Sequence, residues 1–142
     1  MEIFKQIAPL KAFIGGIKRH GKSIGLVPTM GALHSGHLSL IQASKSQNPL
    51  TIATIYVNPT QFNDKADFEK YPIRIDHDLE MLLAAGCDAV FMPSVEEIYP
   101  QGTTLQTDVD LGFIGTTLEA QHRPGHFQGV LQVVKRLLDI VQ

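Results

Sequence analysis

Two histidines three residues apart, His34 and His37, close the segment "LVPTMGALHSGH" that runs from Leu26 to His37. An aliphatic run precedes them, stops at Pro28 and bends at Gly31, and Gly36 separates the two imidazoles. Imidazole N–H groups stabilise developing negative charge, and the ring changes its own charge near neutral pH with modest tuning. Attack at a nucleotide α-phosphate builds such charge on the non-bridging oxygens and the departing pyrophosphate. That chemistry needs positioning and charge compensation rather than a covalent enzyme intermediate. A resident metal is not expected, because the zinc-protease pattern needs histidines four apart with a glutamate between, and here Ser35 and Gly36 intervene. Histidines at this spacing are also common on plain surfaces, so their placement decides.

The elements around the pair supply that placement. "SIGLVPT" (23–29), "LTIATIYV" (50–57) and "DAVFMP" (88–93) are short, aliphatic and bounded by Gly, Pro or Asn, as strands buried on both faces are. Helix-period segments alternate with them. Residues 37–45 turn Leu38, Ile41 and Leu40 towards a core, and residues 76–86 open with Asp76, Asp78 and Glu80, where acids complement the helix dipole. Residues 6–21 read as a helix starting near Pro9, and 129–142 as a last helix, apolar at Val130, Val133, Val134, Leu137, Leu138 and Val141. Residues 103–111 alternate as an edge strand does.

Strands alternating with helices imply an α/β fold, a Rossmann-like parallel sheet with flanking helices in a single domain over 1–142. Such sheets bind ligands beyond the carboxyl ends of their strands. The turn "MGALHSG" lies there, and its unpaired backbone N–H groups and helix dipole are expected to attract phosphate. "NPTQF" (58–62) follows the second strand and lies beside that turn. Gln61 both donates and accepts hydrogen bonds, so it suits an uncharged contact to hydroxyls and a carboxylate. Asn58 fits either a pocket wall or an Asx turn before Pro59. Arg123 and His126 in "RPGHFQG" could face the phosphates, but a helix entry needs polar partners for its own backbone, and the supporting role is the preferred reading.

A net charge of −2 gives no basic footprint, so no nucleic-acid partner is expected. No apolar segment approaches the ~20 residues that span a bilayer, and "MEIFKQIAPLK" is no signal peptide, so no membrane partner and a cytoplasmic location are expected. Cys87, the single cysteine, sits among apolar neighbours and reads as a buried structural thiol.

H-x-G-H in this position resembles the signature of the nucleotidyltransferase superfamily, whose other adenylyltransferases the short motif also fits. "LVPTMGALHSGH", "YVNPTQF", "YPIRIDHDL", "VFMPSVEEIYPQG" and "RPGHFQGVLQVVKRLLDIVQ", in this order, are similar to the pantoate–β-alanine ligase family. The resemblance implies ATP and Mg²⁺ as cofactors, and pantoate and β-alanine as substrates. It implies Met30, Gly31, Ala32, Leu33, His34, Ser35, Gly36 and His37 as the first nucleotide-binding segment, with His37 and His34 catalytic and His37 a proton donor. Gln61 and Asn58 would bind pantoate and lie near β-alanine. A homodimer is implied as well. The family's glycine–lysine–aspartate loop and serine–arginine motif are not in these 142 residues. The sheet is therefore expected to be truncated before its last strand. By itself the chain is expected to be inactive, a binding or dimerisation module unless completed.

Overall fold

Four parallel strands make the sheet: β1 (Glu2–Phe4), β2 (Ile24–Val27), β3 (Leu50–Thr54) and β4 (Ala89–Phe91), in spatial order β1-β4-β3-β2. The computed structural model describes residues 1–104, 109–117 and 119–142. Every residue of β3 and β4 is buried, which is why these strands read as continuous apolar runs. Register follows pleat: Ile52 of β3 lies level with Ala89 of β4, and Ala53 with Val90. Odd and even positions then enter different cores.

The helices are α1 (Ile7–Arg19), α2 (Ser35–Gln47), α3 (Lys65–Glu69), α4 (Ile75–Ala84), α5 (Val95–Ile98), α6 (Glu119–His122) and α7 (His126–Val141). One face of the sheet packs Ile52, Ala89 and Phe91 against Leu10 and Ile14 of α1, Ile98 of α5, and Val133, Leu137 and Ile140 of α7. The other packs Ala53 and Val90 against Ile41 of α2 and Leu82 of α4, with Val27, Leu33 and Cys87. The chain crosses the sheet once along the first face, from β1 to β2, and steps back through β3 to β4 along the second. Opposite directions on opposite faces keep every crossover right-handed, as this architecture requires.

Several expectations change in detail. β1 was not anticipated: "EIF" is too short to show a period, and its pairing with β4 is a tertiary event. α1 starts at Ile7, so Pro9 is its third residue, still within the turn whose N–H groups lack helical partners. α2 and α7 begin before 37 and 129, at Ser35 and His126. Leu40 is 55% exposed rather than in a core. Of the edge strand expected over 103–111, residues 105–108 lie outside the described set, and 103–104 and 109–111 are not strand. Cys87 is buried, as expected, and burial raises its thiol pKa.

Candidate active site

The site begins where the β2–β3 ladder runs out. Pro28 has no N–H to donate, and Thr29 takes over the pairing with side chains. Its N–H donates to Thr54 Oγ1 at 3.1 Å, its hydroxyl donates to the Thr54 carbonyl, and its own carbonyl accepts from Tyr56 N at 3.1 Å. Thr29 and Thr54 are both buried. The carboxyl ends of β2 and β3 are thereby sewn together, and the two loops leaving them start side by side.

Beyond Thr29 the chain turns left-handed twice, at Gly31 (φ 82°) and Ala32 (φ 51°). For alanine that conformation costs about 1–2 kcal/mol. Asp78 of α4, 1% exposed, offsets it: Oδ2 accepts from Ala32 N and Oδ1 from Leu33 N, each at 2.8 Å. Hydrogen bonds to a charged group contribute about 1.5–3 kcal/mol each, so the clamp outweighs the strain. Gly31 must be glycine, since a Cβ there would lie 2.9 Å from Asp78 Oδ2. Asp78 therefore does more than face the helix dipole, its role in the sequence pattern.

His34 caps α2. Its Nδ1 accepts from Gly36 N at 3.1 Å, and His37 Nδ1 accepts in return from His34 N at 3.4 Å. The ring centroids lie 4.2 Å apart. A Cβ on Gly36 would meet His34 Cε1 at 2.9 Å, so this glycine admits the imidazole itself. An Nδ1 that accepts carries no proton, so each neutral ring holds its hydrogen on Nε2. Burial lowers the His37 pKa, the neighbouring His34 lowers it further, and Asp78 opposes both.

The expected nest of unpaired amides is absent from this turn. Gly31 N donates to Thr29 Oγ1, Ala32 N and Leu33 N to Asp78, His34 N and Gly36 N to imidazoles, and His37 N to the His34 carbonyl. The donors left over are the imidazole Nε2–H groups, on an exposed His34 and a half-buried His37, together with the Met30 and Ser35 amides.

The second loop opens with a 3₁₀ turn, Pro59–Gln61. Gln61 Nε2 donates to Met30 Sδ at 2.9 Å, and its Oε1 accepts from Asn58 Nδ2 at 3.2 Å. Gln61 and the histidine turn are thus in contact through Met30. Asn58 is 1% exposed and fully engaged: Nδ2 also donates to the Gly129 carbonyl, and Oδ1 accepts from Thr60 and from the Tyr99 hydroxyl. It caps the turn and fixes Gln61, and its own amide faces no open space.

Helix α7 holds this loop from behind. A Cβ at Gly129 would stand 2.6 Å from the Thr60 carbonyl carbon, so only glycine lets the helix approach. Arg123 Nη2 and His126 Nδ1 both reach the Gln61 carbonyl, at 3.3 and 2.9 Å. These are the supporting roles the sequence suggested for them. Phe62 stacks edge-on with Phe68 and Tyr71 and closes the loop's far side. Asp78 and Gly129 were missed because their partners lie 45 and 69 residues away or more.

Among the described residues no group of three His, Cys, Asp or Glu could hold a metal ion. A cavity of about 440 Å³, lined by Ile98, Tyr99, Gln132 and Arg136 among others, lies between α7 and the segment that starts at the end of α5, and includes neither the histidines nor Gln61.

The chain is a Rossmann-like parallel sheet that carries H-x-G-H at the entry of the helix following its edge strand β2. The family model for pantoate-beta-alanine ligase matches residues 2–142, and the chain belongs to that family. It is 51% identical, over its whole length, to pantothenate synthetase of Porphyromonas gingivalis (strain ATCC BAA-308 / W83), and covers 50% of that protein. To the pantothenate synthetase of Aliivibrio fischeri it is 49% identical, again over its whole length and 49% of the relative. The crystal structure of pantoate-beta-alanine ligase from Francisella tularensis, complexed with beta-gamma ATP and beta-alanine, superposes with a TM-score of 0.92 at 42% identity, over 99% of this chain and 53% of that one. The chain spans about half the length of the curated relatives it matches.

Proposed function

We propose that the chain forms the ATP- and pantoate-facing half of an acid–amine ligase. In the full reaction the pantoate carboxylate attacks the α-phosphorus of ATP, giving pantoyl adenylate and pyrophosphate. The β-alanine amine then attacks the acyl carbon, AMP leaves, and the amine proton is released. One observation carries this reading: Gln61 touches Met30, so the loop suited to a hydroxy acid abuts the turn suited to a nucleotide. Met30 Sδ is a weak acceptor, and a carboxylate or hydroxyl oxygen of the acid would displace it from the Gln61 amide.

In this reading His34 and His37 donate through Nε2–H to the α-phosphate oxygens and the leaving pyrophosphate. With Nδ1 accepting an amide hydrogen and the His37 pKa lowered, the His37 ring acts as a neutral hydrogen-bond donor near pH 7. That differs from the proton-donor role the resemblance implies for His37. Mg²⁺ would supply charge neutralisation on the phosphates. The described residues form no cage for it, so it would arrive as the ATP chelate, as Mg²⁺ commonly does. No described helix is long and apolar enough to cross a membrane. A cytoplasmic location and a homodimer complete the proposal.

The test joins residues 1–142 to the second half of the Porphyromonas gingivalis relative and measures ATP–pyrophosphate exchange. Exchange that depends on pantoate is expected. A folded chimera without exchange overturns the reading. The half-length span favours a second statement, that the 142 residues alone bind without turnover. Calorimetry of the chain with ATP and pantoate should show heat, and silence for both ligands contradicts it.

A further inference from the structure

We infer that Asp78 is a positioning residue of the nucleotide turn, whose buried carboxylate draws the Ala32 and Leu33 amides inward so that a phosphate is met by imidazole Nε2–H groups instead of a backbone nest. The inference deepens the proposed function and rests on its nucleotide-binding reading. Helix-entry turns that grip phosphate by main chain leave their N–H groups free and point them at the ligand. This turn does the reverse. A full negative charge sits beneath it, 2.8 Å from two of its amides, and Gly31 and Ala32 adopt left-handed conformations that bring those amides to the carboxylate. Of the amides from Met30 to His37, those of Met30 and Ser35 have no partner among the described residues; the other six are engaged within the protein.

The arrangement has an electrostatic consequence. A carboxylate close below a phosphate would repel it, unless groups between them carry donors. The shared cap commits both Nδ1 atoms to the Gly36 and His34 amides, which leaves Nε2–H as the donor each imidazole can offer a phosphate. Asp78 thus stabilises the turn, and its charge also favours a proton on His37, against the burial and the neighbouring His34 that disfavour one. Among the described residues, His34 and Asp78 are the charged or titratable groups that bear on His37.

Nuclear magnetic resonance of the 142-residue chain tests this without requiring turnover. In the ligand-free protein, the Ala32 and Leu33 amides should exchange slowly with solvent. Exchange as fast as that of Ser35 would overturn the inference. On addition of ATP, the imidazole Nε2 resonances and the Met30 amide should move while Ala32 and Leu33 stay in place. If Ala32 and Leu33 move most, the phosphate sits in a backbone nest and the inference fails. Absence of any shift overturns the nucleotide reading instead, and the exchange measurement still judges Asp78. In Asp78→Asn, an NH₂ group confronts one of the two amides, and their exchange should accelerate about tenfold or more. The His37 titration midpoint should also fall in that variant, a readout that a purely structural staple would not move. A folded Asp78→Asn protein with both quantities unchanged refutes the role; should it not fold, the wild-type measurements decide.

Discussion

An imidazole that accepts an amide hydrogen at Nδ1 has committed that lone pair, and its chemistry is confined to Nε2. Both site histidines are in this state, which makes them donors of fixed direction. In the joined protein, His37→Ala should lower pantoate-dependent exchange by about 10²–10³-fold, the loss seen when a preorganised oxyanion donor is removed. Unchanged exchange rates would remove His37 from the mechanism. The pH dependence has a definite sign. The folded His37 pKa lies below the unfolded value, chiefly through burial, so the folded state favours the neutral ring. That contribution is complete above the unfolded pKa of about 6.5 and is lost as pH falls through the lower, folded midpoint. Urea melts at pH 7.5 and pH 5 should show a larger acid loss for wild type than for His37→Asn, which keeps an acceptor but does not titrate. Equal losses would contradict this.

At the scale of elements, the site depends on one helix pressing on one turn. Gly129 of α7 sits against Thr60, its carbonyl takes the Asn58 amide, and Arg123 and His126 pin the Gln61 carbonyl from the same helix entry. Gly129→Ala should therefore destabilise the fold by about 1–3 kcal/mol through overpacking, measured by thermal or urea denaturation. It should also weaken pantoate binding more than ATP binding in calorimetry, because the displaced turn carries Gln61 while the histidines hang from β2 and Asp78. Equal weakening of both ligands would mean that α7 supports the site only through global stability. Strands β2, β3 and β4 and the four long helices were legible from their apolar periods. So was the position of His34 and His37, because Pro28 and Gly31 mark the end of a strand, although β2 lies at the sheet edge with only Val27 buried, and is not buried on both faces as its apolar run suggests. What sequence could not show is pairing across distance. Asp78 has the appearance of a helix-dipole acid, and Gly129 that of an ordinary helix start, until α4 and α7 are folded onto their turns. The expected set of unpaired amides is reduced partly for the same reason: those of Ala32 and Leu33 are taken by a carboxylate 46 and 45 residues away, while four others pair within three residues.

Over the whole molecule, the carboxyl ends of β2 and β3 collect everything that reads as chemistry, and the two cores beneath them hold the rim rigid. Relatives are about twice as long, and the proposed reaction also requires cationic groups to compensate a departing pyrophosphate. The 142-residue chain should accordingly bind ATP more weakly than the chimera does, as a fluorescent-nucleotide titration of both would measure; equal affinities would show that the second half adds nothing to the nucleotide site. The most direct measurement is a crystal structure of the chain grown with ATP and pantoate. The account places phosphate oxygens within hydrogen-bond distance of Nε2 of His34 and His37, and the acid on the Gln61 carboxamide with Met30 Sδ displaced. Nucleotide seated in the cavity between α7 and the segment that starts at the end of α5, with both imidazoles untouched, would contradict it.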